Sequence, residues 1–205
     1  MTLDDLRARM QVYTLRHAPV WDALWAGRSI GRMAVAVSPS PEKIKRAKDN
    51  LATLNWPEPA DKPSAWKPAW RDAVIDGVAD LAAGLDIPGD RCLMLTPPRF
   101  VHKQTQGICD IFGANVEEQL DWNIYVYPLP PDPVFIDAVA PQPIERSAYW
   151  GAVEWVRYAR AMTGGLFEFR SPVMTGPFDT ANYLLGAPVL LEWVYTEPET
   201  LHRFL

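Results

Sequence analysis

Ten of the 20 prolines fall in two groups, Pro57, Pro59, Pro63 and Pro68, then Pro128, Pro130, Pro131, Pro133, Pro141 and Pro143. Each lacks a backbone donor and holds its predecessor extended, so both stretches read as connections that no helix interior can cross. They divide the chain into three blocks, and neither an internal repeat nor a low-complexity run softens that division.

The first block predicts a helix near Leu3 to Leu15 and another opened by Ser40-Pro41-Glu42 and running to about Leu54, with Ser as N-cap and Pro at the first helical position. Lys43, Lys45, Arg46 and Lys48 read as its solvated face. In the second block, Val74, Ile75, Val78, Leu81 and Ala82 recur at helical spacing within Trp70 to Leu85. Asp86 to Asp90 then reads as a turn and Arg91 to Thr96 as a short buried strand, a helix–turn–strand cadence typical of α/β proteins. Asn123 to Tyr127 favours a further strand.

The third block predicts a helix from Ser147 to Met162, capped by Ser147 and stopped by Gly164-Gly165, and a strand from Phe167 to Met174 that breaks at Thr175 to Phe178. Asp179 or Thr180 is expected to cap the next helix, which holds Ala181, Tyr183, Leu184 and Leu185. Val189 to Tyr195 reads as another helix, and Thr196-Glu197-Pro198-Glu199 as a capping box opening the last.

Charge and cysteine content narrow the function. The 25 acids outnumber the 20 Lys and Arg, giving a net charge of −5, so the basic face that nucleic-acid binding requires is not expected. No stretch approaches the ~20 apolar residues of a bilayer span. Acids at Asp4 and Asp5 stand where a secretory signal needs bases, so a cytoplasmic protein is expected. Cys92 and Cys109 form no C-x-x-C pair, and no Cys/His cluster has zinc spacing.

The most specific stretch is Thr175-Gly176-Pro177-Phe178-Asp179-Thr180-Ala181-Asn182-Tyr183, followed by Glu197-Pro198-Glu199-Thr200-Leu201-His202. A strand that breaks at Gly-Pro and feeds a helix N-terminus is where parallel α/β folds place ligand sites. This segment resembles the uroporphyrinogen decarboxylase superfamily, which also contains corrinoid-linked methyltransferase activators. The likeness is strongest from Tyr127 to Leu205. Asp86 to Asp90 and Asp110-Ile111-Phe112-Gly113-Ala114 are similar to segments of the non-haem branch. Val20-Trp21 and Ala26-Gly27-Arg28 match part of the decarboxylase's N-terminal signature, with Leu24 where that signature has its first arginine.

The resemblance implies an α/β fold of the (β/α)8 TIM-barrel type in one domain over 1–205, mainly helical over 1–90 with the barrel beginning over 91–205. Such a barrel usually takes about 250 residues, so the expectation is an incomplete barrel, truncated at its C-terminus. It further implies a carboxy-lyase acting on a tetrapyrrole or related small molecule. Tyr183 falls on the family's active-site tyrosine, Asp110 on the aspartate that faces pyrrole N–H groups, and Arg28 on a substrate-carboxylate arginine. Decarboxylation in this family needs no cofactor. The methyltransferase alternative would bring zinc and a corrinoid, with ligands outside this chain; a non-catalytic ligand-binding fragment is the other alternative. An anionic small molecule is the expected partner, with no nucleic acid and no membrane, and a homodimer is compatible.

Each site residue also has a plain structural reading. Tyr183 suits a helix core, Asp110 a turn or cap, Arg28 a surface ion pair and Asp179 an N-cap rather than a substrate contact. Arg99, His102 and Lys103 follow the Arg91 to Thr96 strand, where a basic loop either holds an anionic ligand or is solvated. His17 and His202 have no acid or cysteine at a telling spacing and receive no role.

Overall fold

The computed structural model describes residues 2–60, 62–63, 66–103, 105–119, 123–170 and 174–205. It is mixed α/β: eight α-helices and four short strands among the described residues, the strands forming two two-stranded sheets and no closed barrel. The chain divides into two compact units, Met1–Thr96 with Val156–Arg170, and Pro97–Trp155 with Ser171–Leu205.

Proline acts differently from the expectation of simple connections. Helices α2 (Pro41–Ala52), α3 (Pro68–Gly84), α4 (Pro133–Asp137), α6 (Pro177–Leu185), α7 (Ala187–Thr196) and α8 (Pro198–Phe204) each carry a proline in the first two positions. There the missing N–H is one of the donors that a helix leaves unpaired anyway. The prolines therefore start helices as well as separating them. Helix α1 (Leu3–Trp25) is the exception, because Pro19 lies inside it. The sequence predicts an end near Leu15, yet the helix continues. Pro19 deprives the Leu15 carbonyl of its partner, and Leu15 is 78% exposed, so solvent can take that bond.

In the first unit α1 opens with a complete capping box between Thr2 and Asp5, and α2 with the Ser40 cap, whose Oγ accepts from Lys43 N–H. Helix α3 buries Trp70, Val74, Ile75, Val78 and Leu81, packs on α2, and meets β1 (Met94–Leu95). Strand β1 pairs in parallel with β4 (Glu168–Phe169), Leu95 opposite Phe169, and Arg170 N–H extends the pairing to Leu95 O at 2.7 Å. Both strands are shorter than the sequence predicts, and the expected continuation through Ser171 to Val173 lies outside the described residues.

In the second unit an antiparallel pair joins β2 (Asn115–Glu118) to β3 (Ile124–Tyr127), with Val116 opposite Val126. Asn-Val-Glu-Glu carries no strand signal because only Val116 is buried. A 3-10 helix, Thr105–Phe112, lies against this pair and against α6. The core gathers Cys109, Val116, Val126, Leu129, Ile136, Leu184, Leu185, Leu190 and Trp193. Helix α5 (Trp150–Met162) begins in this unit, and its residues from Val156 belong to the first.

Three expected caps are replaced. Gly176, not Asp179 or Thr180, occupies the N-cap of α6, and Asp179 sits in the first turn, where its charge favours the positive end of the helix. Thr196 ends α7 and donates back to Glu192 O at 3.2 Å, so it takes no part in a capping box for α8. Ser147 precedes α5, which starts at Trp150.

The start of α5 depends on a glycine. A Cβ on Gly151 would lie 1.9 Å from Val101 O, a backbone atom that no rotamer change can move. Gly151→Ala is therefore expected to destabilise the chain by at least ~3 kcal/mol, at the upper end of overpacking costs. Urea unfolding monitored by circular dichroism measures it, and a cost within ~0.5 kcal/mol would refute this close approach.

Candidate functional site

The 3-10 helix Thr105–Phe112 is the element around which the second unit assembles polar groups. Ala148 N–H donates to Asp110 Oδ2 at 2.7 Å, and Ser147 Oγ donates to Gly107 O at 3.1 Å while accepting from Tyr149 N–H. These bonds strap the approach to α5 onto the 3-10 helix. They satisfy only one carboxylate oxygen of Asp110: Oδ1 is buried and has no hydrogen-bond partner among the described residues. A buried acceptor without a partner is unusual in a folded chain.

Tyr183 projects from α6 toward the same helix, with Gln106 Nε2 3.5 Å from its hydroxyl. Its half-buried ring packs on the core. His102 is buried, its ring edge-on to Tyr149 at 6.0 Å. Lys103 adopts a left-handed φ of 46° and donates to Val116 O at 2.8 Å, so it holds the β2–β3 pair. Arg99 is exposed at the head of a short 3-10 turn, and Asp179 is exposed on α6. Arg28 is exposed just after α1 and belongs to the first unit. The 3-10 helix thus gathers Asp110 and Tyr183, while Arg99, His102 and Asp179 share only their unit.

Cys109, beside Asp110, is fully buried, and burial followed by the neighbouring carboxylate pushes its thiol up to about 12. It stays protonated at neutral pH and is inert as a nucleophile. Among the described residues no group of three or more His, Cys, Asp and Glu side chains is placed to hold a metal ion, and no helix is long and apolar enough to cross a membrane.

Sequence reasoning missed a second polar centre, in the first unit. Asp90 is 2% exposed and receives the Arg32 guanidinium in a two-pronged contact at 2.5 and 2.7 Å, together with Val35 N–H at 3.1 Å. His17 Nδ1 lies 3.5 Å from its other oxygen, and the imidazole stacks on Tyr13 with centroids 4.2 Å apart. The acid that partners His17 is far along the chain, so no local spacing signals it.

Comparison with protein-family models, with curated proteins and with solved structures gives no match.

The Asp90 cluster has a pH consequence. Arg32 first, then the Val35 amide, holds the carboxyl far below the usual carboxylate range. A depressed folded-state value stabilises fully above the unfolded value near ~4 and is lost as pH falls below it toward the folded one. Thermal melts between pH 6 and pH 2 are expected to show this loss. Asp90→Asn is expected to lower the melting midpoint at pH 6 and flatten the acid limb; an unchanged limb would contradict the assignment.

Proposed function

We propose that this chain is a uroporphyrinogen decarboxylase-like protein with a fold of the (β/α)8 type, acting as a cofactor-independent carboxy-lyase on an anionic tetrapyrrole or related small molecule. The observation that carries the reading is the open Oδ1 of Asp110. A carboxylate fixed by Ala148 N–H on one oxygen keeps the other buried and unpaired, an acceptor that a pyrrole-type N–H would satisfy once substrate entry uncovers it. Pre-positioned in a partly buried site, that charge stabilises positive charge developing on the ring as carbon dioxide leaves. Tyr183, held near Gln106, supplies a hydroxyl that can donate to a substrate carboxylate. The parallel β1–β4 pairing, reached through a connection that includes a helix, is compatible with a parallel barrel sheet. Arg99 and His102, on the basic loop after β1, enter as anion-binding groups and Asp179 as a substrate contact of the same unit, while Arg28, in the other unit, is a carboxylate-binding group only as the resemblance implies.

The test is turnover of freshly reduced uroporphyrinogen under anaerobic conditions, with products oxidised and separated by carboxylate number. Loss of carboxylates is expected, falling about 10²-fold in Asp110→Asn, which keeps the shape and removes the charge. Tyr183→Phe is expected to lower kcat/KM about tenfold, the cost of one lost hydrogen bond of roughly 1.4 kcal/mol. No turnover together with no binding of the porphyrinogen, or an Asp110→Asn variant as active as the parent, overturns the proposal.

A further inference from the structure

The β2–β3 pair turns one face to the core and the other to solvent. Val116 and Val126 stand opposite each other and are buried, so their strand neighbours Asn115, Glu117, Tyr125 and Tyr127 alternate onto the other face. There Asn115 is opposite Tyr127 and Glu117 opposite Tyr125. The two tyrosine rings meet nearly at right angles, with centroids 4.9 Å apart and planes at 76°, and the residues remain 48% and 43% exposed. We propose that this corner, with the Glu117 carboxylate beside it, binds the trimethylammonium group of a small soluble molecule.

Ring geometry is the first argument. Stacked rings hide their faces from each other, whereas rings set at a right angle leave two faces meeting in a corner, and the face is the negative part of an aromatic ring. A cation seated there is attracted by both rings at once. Charge is the second. Strands β2 and β3 carry two acids, Glu117 and Glu118, and no base. Lys103 reaches β2, where its ammonium is tied to Val116 O at 2.8 Å, and the pair stays net negative even with that charge counted. Glu117 is also held in place: Asn115 Nδ2 donates to its Oε1 at 2.8 Å and the Tyr127 hydroxyl to its Oε2 at 3.1 Å. The negative charge is therefore fixed beside the rings before any ligand arrives.

These same hydrogen bonds choose among cations. Both carboxylate oxygens already accept a bond, so an ammonium or guanidinium would have to share them, at the expense of N–H bonds that water supplies freely. A trimethylammonium group has no N–H to satisfy and gains the rings and the charge without that loss. Four side chains form a patch far smaller than the about 20–30 residues a side of a stable protein interface, so the occupant is a single group rather than a folded partner. None of these residues takes part in the proposed decarboxylation, and the site stands whether or not that reading does.

Choline chloride is the probe, titrated into the full chain carrying 13C-labelled tyrosine at an ionic strength held constant with sodium chloride. The Tyr125 and Tyr127 ring resonances are assigned by their loss in Tyr125→Leu and Tyr127→Leu. Both are expected to move saturably up to ~30 mM choline, a range that detects millimolar binding. Dimethylbutanol, the uncharged alcohol with carbon in place of the quaternary nitrogen, is expected to bind about tenfold more weakly. Glu117→Gln, which keeps the shape and removes the charge, is expected to weaken choline about threefold and leave the alcohol unaffected. Stationary tyrosine resonances, equal movement with the alcohol, or a folded Glu117→Gln chain that binds choline as the parent does overturns the proposal. Shifts that appear with phosphatidylcholine vesicles and not with choline overturn it as well, because the source is then a lipid surface. If Glu117→Gln fails to fold, the comparison of choline with the alcohol on the parent chain decides.

Discussion

The turn from Asp86 to Arg91 is the point on which the first unit depends. Arg9 of α1 pairs with Asp86 at 2.7 Å, and Tyr13 donates its hydroxyl proton to Gly89 O while accepting from Arg91 N–H. The otherwise irregular segment after α1 is tied to the same turn from both directions, since Asp90 N–H donates to Val35 O at 2.6 Å and Val35 N–H returns to the Asp90 carboxylate. In a loop with no regular ladder, both backbone groups of Val35 are thereby satisfied. The carboxylate is almost wholly buried, and half-exposed Arg32 compensates it, so the charge is stabilised without desolvating both partners. Because β1 follows immediately, fixing this turn also fixes where the parallel pair begins.

Local signals were the legible part of this fold. Ser40-Pro41 marks a helix start that the structure shows, because capping and φ restriction act within one turn of chain, whereas Pro68 and Pro177, read as a connection and a strand break, turn out to open α3 and α6. The apolar face of α3 is equally plain from Val74, Ile75, Val78 and Leu81. Where the sequence misleads, the reasons differ. Pro19 does not end α1, where the exposure of Leu15 leaves the freed carbonyl within reach of solvent, and β2 exists because Val116 finds Val126 across the pair. Asp179 fails to become a cap because Gly176 takes the extended conformation three residues earlier.

The polar sites follow the same division. Asp110 and Tyr183 stand out in sequence through a motif, and the structure attaches both to the 3-10 helix, but nothing in the motif indicates that Ala148 N–H occupies one carboxylate oxygen and leaves the other open. His17 is the opposite case. It lacks any neighbouring signal, because Asp90, with Arg32 on its carboxylate, comes beside it only through the folded chain.

The parallel pair has a consequence for synthesis. Leu95 emerges from the ribosome long before Phe169, its partner across the pair, and every residue of the β2–β3 hairpin is made in between. During that interval α1, α2, α3 and the Asp86–Arg91 turn can assemble, but one side of β1 waits without its ladder. The entropic cost of closing so long a connection grows only slowly with its length, whereas the waiting time grows with every residue translated. Pauses downstream of β1 therefore prolong the exposure of an unpaired strand edge, a surface that invites association with other nascent chains.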